Sequence, residues 1–318
     1  MSDEALSQLL AVQAHFRLPS VGLVEKDIHV LRAIQTLAAL DVAPFALVFG
    51  GGTALARAHK LIERMSEDVD FKLVPTPTPA APVSRSGLRR QRSALHDRVT
   101  AVLQAAGFAF DPKDAVRSRD ENGYTIYQLP YTAGQAGHGL RPTIQIEIKH
   151  TVLRLPGVML PVSSFVAEAK NQPPEVPAIA CVSVTETAAE KLVSLTRRTA
   201  MDIAGLSRDF DPALVRHIYD LHVLRDYVDR STVITLARDI AAADAEEFRN
   251  QYPAYHTDIA GETRKALDAL RTDPVHRKRY DDFVAGMVYG EQVEFDTALA
   301  TVVALAEKTI QQGGGGTC

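Results

Sequence analysis

Asp68 and Asp70 stand two positions apart in Asp68-Val-Asp-Phe-Lys-Leu-Val74, a segment that alternates polar and apolar residues. The alternation predicts a half-buried strand, in which residues i and i+2 project from one face. Two carboxylates held close together repel each other, and a hard divalent cation with oxygen ligands, such as Mg²⁺, relieves the repulsion. A later segment, Thr143-Ile-Gln-Ile-Glu-Ile-Lys149, repeats the alternation, with Ile144, Ile146 and Ile148 on one face and Gln145, Glu147 and Lys149 on the other. If the two strands lie side by side, Glu147 becomes a third metal ligand. Three carboxylates can hold two ions, one activating an attacking hydroxyl and one neutralising a triphosphate. Each part also has a plainer reading: a solvated edge-strand face for the Asp pair, and an ordinary half-exposed sheet position for Glu147.

These side chains need elements to position them. Phe45-Ala-Leu-Val-Phe49 is a continuous apolar run ending in Gly50-Gly51-Gly52, which reads as a buried strand entering a tight turn. Glycines let a backbone approach a phosphate. The helix predicted over 53–65, with Thr53 as its N-cap, places N–H groups at the same spot. On its own such a turn is as readily a plain tight turn. Upstream, Leu6, Leu9 and Leu10, then Ile28, Leu31, Ile34, Leu37 and Leu40, recur at helical spacing, with a break at Pro19-Ser20 where Ser20 caps a second helix. Downstream, the proline-rich stretch 75–84 excludes regular structure. A helix follows over 85–106, then strands over 124–131 and 143–153. Arg85, Arg89 and Arg92 share one face of that helix, either as a track for RNA phosphates or as a solvated surface. Pro156 to Pro161 reads as a break, and Pro173, Pro174 and Pro177 as a linker. From Thr185 the pattern is helical. The expectation is an α+β fold: a mixed sheet with helices over 1–175, a helical domain over 176–312, and a disordered tail over 313–318.

Composition narrows the class. A chain of 318 residues with 46% hydrophobic and 23% charged content has ordinary globular composition. The net charge of −4 gives no support for indiscriminate binding to nucleic-acid phosphates. Cys181 and Cys318 make neither a disulfide framework nor a zinc site. No secretory leader and no apolar run long enough for a membrane span are seen, so a cytoplasmic location is expected.

Strand, glycine turn, helix, Asp-x-Asp strand and later carboxylate strand together resemble the nucleotidyltransferase signature of the polymerase-β superfamily. Phe49-Gly-Gly-Gly-Thr-Ala-Leu55 followed by Arg64-Met-Ser-Glu-Asp-Val-Asp-Phe71 more closely resembles the AbiEii/AbiGii toxin family, the MenT-like nucleotidyltransferases of type IV toxin–antitoxin pairs. Glu25-Lys-Asp27, Glu190-Lys-Leu-Val-Ser-Leu-Thr-Arg-Arg198, Arg216-His-Ile-Tyr-Asp-Leu221 and the stretch from Tyr280 to Phe295 resemble further family motifs. The likeness spans roughly residues 20–310. One departure stands out: the family often has Asp where this chain has His217, while Asp220 keeps the second acidic position.

The resemblance implies a polymerase-β-type fold with a helical C-terminal domain. It implies transfer of a nucleoside monophosphate from an NTP, with Mg²⁺ (or Mn²⁺) held by Asp68, Asp70 and Glu147. Gly51, Gly52, Thr53, Arg64, Ser66, Lys191 and Arg198 would contact the nucleotide. Asp220 would orient Lys191 or the ribose, and Arg198 either grips phosphate or pairs with Asp220. Glu25 and Lys26 read equally as a surface pair or as active-site residues. The implied partners are a tRNA acceptor, with protein as the alternative, and a cognate antitoxin. A catalytically degenerate module that binds a nucleotide or a partner is the reading from a different class.

Overall fold

The computed structural model describes residues 2–76, 83–134, 140–207 and 211–311. Most of the proline-rich stretch and the glycine tail lie outside the described residues. The chain divides into two compact units, Met1–Ser183 and Val184–Cys318.

The first unit runs α1 (Asp3–Phe16), α2 (Val21–Ala38), β1 (Phe45–Gly50), α3 (Gly51–Arg57), β2 (Asp68–Pro75), α4 (Arg85–Ala105), α5 (Pro112–Ala115), β3 (Val116–Arg119), β4 (Tyr124–Pro130), β5 (Thr143–His150), β6 (Val158–Val162), α6 (Phe165–Ala169) and β7 (Val176–Cys181). These strands form one mixed sheet in the order β3-β4-β5-β2-β1-β7-β6. β1 and β2 pair antiparallel, β2 and β5 parallel, and β4 and β5 antiparallel. Val69, Phe71 and Leu73 of β2, and Ile144, Ile146 and Ile148 of β5, share one core cluster with Val30, Ile34 and Leu37 of α2 and Leu95, Val99 and Leu103 of α4. Period-2 strands and helical stripes thus meet on one face of the sheet, and the alternate positions of β2, β5 and β4 are left for polar chemistry. Ser20 takes the N-cap position of α2 but makes no side-chain cap bond.

β6 and β7 replace the expected break and linker, so the first unit ends at Ser183 rather than at residue 175. Proline is tolerated in both strands for local reasons. Pro161 falls at the irregularity between Leu160 and Val162 in the β6–β7 pairing. Pro177 lies where β7 has no β1 partner, because β1 meets β7 only near Phe49 and Cys181. A missing N–H costs a ladder nothing at such positions.

The second unit is helical: α7 (Val184–Ile203), a 3-10 turn (Pro212–Val215), α8 (Arg216–Leu224), α9 (Arg230–Glu247), α10 (Pro253–Thr257), α11 (Ile259–Thr272), α12 (Pro274–Met287) and α13 (Phe295–Gln311). Caps set its helix starts. Asp229, Asp258 and Asp273 accept from the N–H groups of Thr232, Gly261 and Val275. α7 packs on α9 and α11, and α13 packs on α8. Among the described residues, no helix is long and apolar enough to cross a membrane.

Candidate active site

The polar face of β2 and β5 carries all three acidic side chains. In register, Asp68 opposes Gln145, Asp70 opposes Glu147 and Lys72 opposes Lys149. Neighbouring strands lie about 4.8 Å apart, so Asp70 and Glu147 sit side by side, with Asp68 two residues along the same face. The inward alternates Val69, Phe71, Ile146 and Ile148 are at most 2% exposed. A slip of one residue would bring these hydrophobes to the polar face, so core packing fixes the carboxylate register.

The glycine turn lies against Asp70. Gly50 opposes Asp70 across the β1–β2 pair, and Gly51 turns with a φ of 69°. A Cβ at Gly51 would fall 1.8 Å from Asp70 Oδ2. A Cβ at Gly52 would fall 2.6 Å from Arg64 Nη2 and 2.7 Å from Ser66 Oγ. Two of the three glycines are therefore required because the side chains of Asp70, Arg64 and Ser66 close over them. Arg64 is buried, and its Nη1 donates to the Met65 carbonyl at 2.8 Å. The Thr53 hydroxyl donates to the Asp68 carbonyl and ties α3 to the start of β2.

The N-cap of α3 is Gly50, not Thr53. The helix ends at Arg57 rather than Met65: the N–H groups of Ala58 and His59 both bond to the Ala54 carbonyl, and Lys60 adopts a left-handed φ of 56°.

Each carboxylate has neighbours that the sequence does not announce. Arg141 Nη2 pairs with Asp68 Oδ1. Glu147 accepts from the Tyr124 hydroxyl at 2.6 Å and from Gln145 Nε2 at 2.7 Å. Burial, then the adjacent Glu147 charge, pushes the Tyr124 phenol upward, so it stays protonated and donates. Arg141 and Tyr124 carry no local motif, and strand register alone brings them to the site. The donor set suits a hard divalent cation, because it offers three carboxylates on one face. Among the described residues, no group of three or more His, Cys, Asp or Glu side chains lies close enough together to hold a metal ion as the side chains stand. Asp68 is turned to Arg141, and Glu147 to Tyr124 and Gln145.

Lys26 is not a surface residue. It is fully buried, and its ammonium meets the carbonyls of Arg141 and Thr143 at 2.6 and 2.8 Å and Glu67 Oε2 at 3.1 Å. Three donors thus meet three acceptors. Asp27, next to it, pairs with Arg57 at 2.9 Å and accepts from the Phe165 N–H at 2.7 Å. Glu25 Oε1 accepts from the Gly134 N–H at 2.7 Å. Lys26→Met removes the cation paired with Glu67 and the donor to two carbonyls, leaving Glu67 only the Arg141 N–H, which is expected to cost about 3–5 kcal/mol. Urea unfolding checks this through a lowered midpoint. On α4, Arg85 pairs with Glu121 at 2.6 Å and Arg92 Nη2 contacts His150 Nδ1 at 2.8 Å, so two members of that basic face are engaged within the unit.

In the second unit, Lys191 Nζ lies 2.8 Å from Asp220 Oδ2 and 3.4 Å from His217 Nδ1, and all three side chains are buried. Arg198 pairs with Asp211 at 3.3 Å rather than with Asp220. Asp211 caps the 3-10 turn ahead of α8, which brings its carboxylate to Arg198 and Arg216.

A family model described as "Nucleotidyl transferase AbiEii toxin, Type IV TA system" matches residues 36–301. The chain belongs to the AbiEii family. It is a nucleotidyltransferase of the toxin class. Its structure is similar to that of MenT4, a nucleotidyltransferase toxin from Mycobacterium tuberculosis H37Rv. The TM-score is 0.54 at 17% identity, over 95% of this chain and 89% of that one, a likeness of fold. No curated protein matches the chain.

Where the resemblance implies Asp, this AbiEii protein has His217, whose buried surroundings set its protonation state. Burial, reinforced by the Lys191 charge, holds its pKa well below the ordinary value, so the ring is neutral and presents Nδ1 to the ammonium. It gives Lys191 a polar partner without adding a negative charge. The folded pKa lies below the unfolded value near 6.5, so below that pH the unfolded chain binds the extra proton. Stability from this group is present above about pH 6.5 and is lost as pH falls, by up to about 1.4 kcal/mol per pH unit. Urea unfolding between pH 7 and 5 is expected to show a shallower decline for His217→Asn than for the wild type.

Proposed function

We propose that this AbiEii-family toxin is a Mg²⁺-dependent enzyme that moves a nucleoside monophosphate from an NTP to an acceptor hydroxyl, preferably at a tRNA 3′ end. The acceptor oxygen bonds to the α-phosphorus, the bond to the β-phosphate oxygen breaks, and pyrophosphate leaves. The observation that carries this reading is the register of Asp70 against Glu147, with Asp68 on the same face and Gly51 closed over by Asp70.

Asp68, Asp70 and Glu147 would hold the cation, Mg²⁺ or in its place Mn²⁺. When bound, it supplies charge that neutralises the triphosphate and favours the ionised acceptor hydroxyl. The backbone N–H groups of Gly51, Gly52 and Thr53 are offered to the outgoing phosphates, with Arg64 and Ser66 bracing the turn from behind. Glu147 would help take up the acceptor proton. Lys191, Arg198 and Asp220 enter from the family motif: Lys191 as a point charge for phosphate, Arg198 as a second cation, and Asp220 as the group orienting Lys191. The type IV setting brings a cognate antitoxin as partner.

Incubation with each labelled NTP, Mg²⁺ and total tRNA tests the reading. Label is expected on tRNA and absent when EDTA is added. Label on protein instead would move the acceptor to a protein hydroxyl. Binding of NTP without transfer to either would favour a non-catalytic module.

A further inference from the structure

Arg141 joins two of the carboxylates. Its Nη2 donates to Asp68, its Nη1 donates to Gln145 Oε1 at 3.0 Å, and Gln145 Nε2 donates in turn to Glu147 Oε1 at 2.7 Å. One guanidinium therefore touches Asp68 directly and reaches Glu147 through a single amide. The main chain of Arg141 is held by other groups. Its N–H donates to Glu67 Oε2 at 2.8 Å, and its carbonyl accepts from the buried Lys26 ammonium at 2.6 Å. The Arg141 side chain is 38% exposed, against 10% for Asp68. The backbone is clamped by a buried ion pair while the charged end lies partly open to solvent, so the guanidinium can move without loosening its anchor.

We infer that Arg141 alternates between Asp68 and the nucleotide: its guanidinium pairs with Asp68, is displaced when a divalent cation takes that carboxylate, and then binds the triphosphate. The inference rests on the reading of Asp68 as a metal ligand. A guanidinium and a dication compete for one carboxylate because like charges repel and the oxygen lone pairs are shared. The freed fork of N–H donors matches phosphate oxygens, and Asp70, two residues along the strand, lies against the glycine turn offered to those phosphates.

The test uses the full chain and two probes, Mn²⁺ alone followed by electron paramagnetic resonance, and inorganic triphosphate at saturating Mn²⁺ followed by calorimetry. Arg141→Gln is expected to bind Mn²⁺ about tenfold more tightly and triphosphate about tenfold more weakly. Arg141→Lys, which keeps the charge, should stay near wild type for Mn²⁺, and this separates charge removal from misfolding. Unchanged or weaker Mn²⁺ binding by Arg141→Gln overturns the competition at Asp68. Tighter Mn²⁺ with unchanged triphosphate overturns the move onto the nucleotide. Asp68→Asn distinguishes the two levels: if it binds Mn²⁺ as the wild type does, the metal reading itself fails. If it loses Mn²⁺ while Arg141→Gln matches wild type, only the role of Arg141 fails.

Discussion

Asp70→Asn is expected to lower the single-turnover rate of nucleotidyl transfer by about a thousandfold while leaving the fold intact. The carboxylate is one of three on the β2–β5 face and the one lying against the glycine turn, so under the proposed function its loss separates the proposed cation site from the proposed phosphate cradle. Metal-assisted stabilisation of a transferring phosphoryl group is worth several kcal/mol, and each ~1.4 kcal/mol is a factor of ten in rate. Asparagine has the same shape, and the packing of β2 is carried by Val69, Phe71 and Leu73, which face the core. Quench-flow rates should therefore collapse while the thermal midpoint moves by no more than about 2 °C. Asp68→Asn is a less clean probe, because it also breaks the pair with Arg141.

Gly51→Ala is expected to cost at least about a hundredfold in rate together with about 1–3 kcal/mol of stability. Two effects act together. A left-handed φ of 69° costs an L-residue about 1–2 kcal/mol. The added carbon also falls 1.8 Å from Asp70 Oδ2, 2.7 Å from its Cγ and 3.0 Å from its Cβ. The short Asp70 side chain has little room to yield, so either it rotates away from Glu147 or the turn opens. Both outcomes part the proposed metal ligand from the proposed phosphate cradle. Gly286→Ala is the matched control. That glycine lies within α12 with nothing within 4 Å of an added carbon, so the substitution should stabilise by about 0.5–1 kcal/mol and leave the rate alone. Denaturant midpoints and rates on the two variants separate a general backbone effect from one confined to the turn.

The centre of the site is legible in the sequence because its parts are local. Asp68 and Asp70 share a strand, the glycines follow an apolar run, and the alternation in 143–149 places Glu147 on the polar face before any register is known. The partners of these groups are not local. Arg141 reaches Asp68 across 73 positions of chain, and Lys26 reaches the Arg141 carbonyl across 115. No spacing rule links such positions, and a lysine between Glu25 and Asp27 on a helix reads as solvated until the helix is packed. The α+β class was readable from the change of period. β6 and β7 were hidden by their prolines, whose tolerance depends on which N–H groups the neighbouring strands leave unused. β3, Val-Arg-Ser-Arg, has no apolar alternation to mark it and pairs only at the sheet edge. His217 shows the limit of a motif. Its departure from the family pattern is visible in the sequence, but its role as a neutral partner of Lys191 follows only from burial and a 3.4 Å contact.

Nucleotidyl transfer attacks the α-phosphorus, not the γ-phosphorus. With Mg²⁺, total tRNA and each NTP labelled in turn at the α- or the γ-phosphate, nucleotidyl transfer places α-label on the RNA and leaves γ-label in released pyrophosphate. Asp70→Asn should do neither. γ-Label on the RNA, or α-label transfer that persists undiminished in Asp70→Asn, would contradict the account.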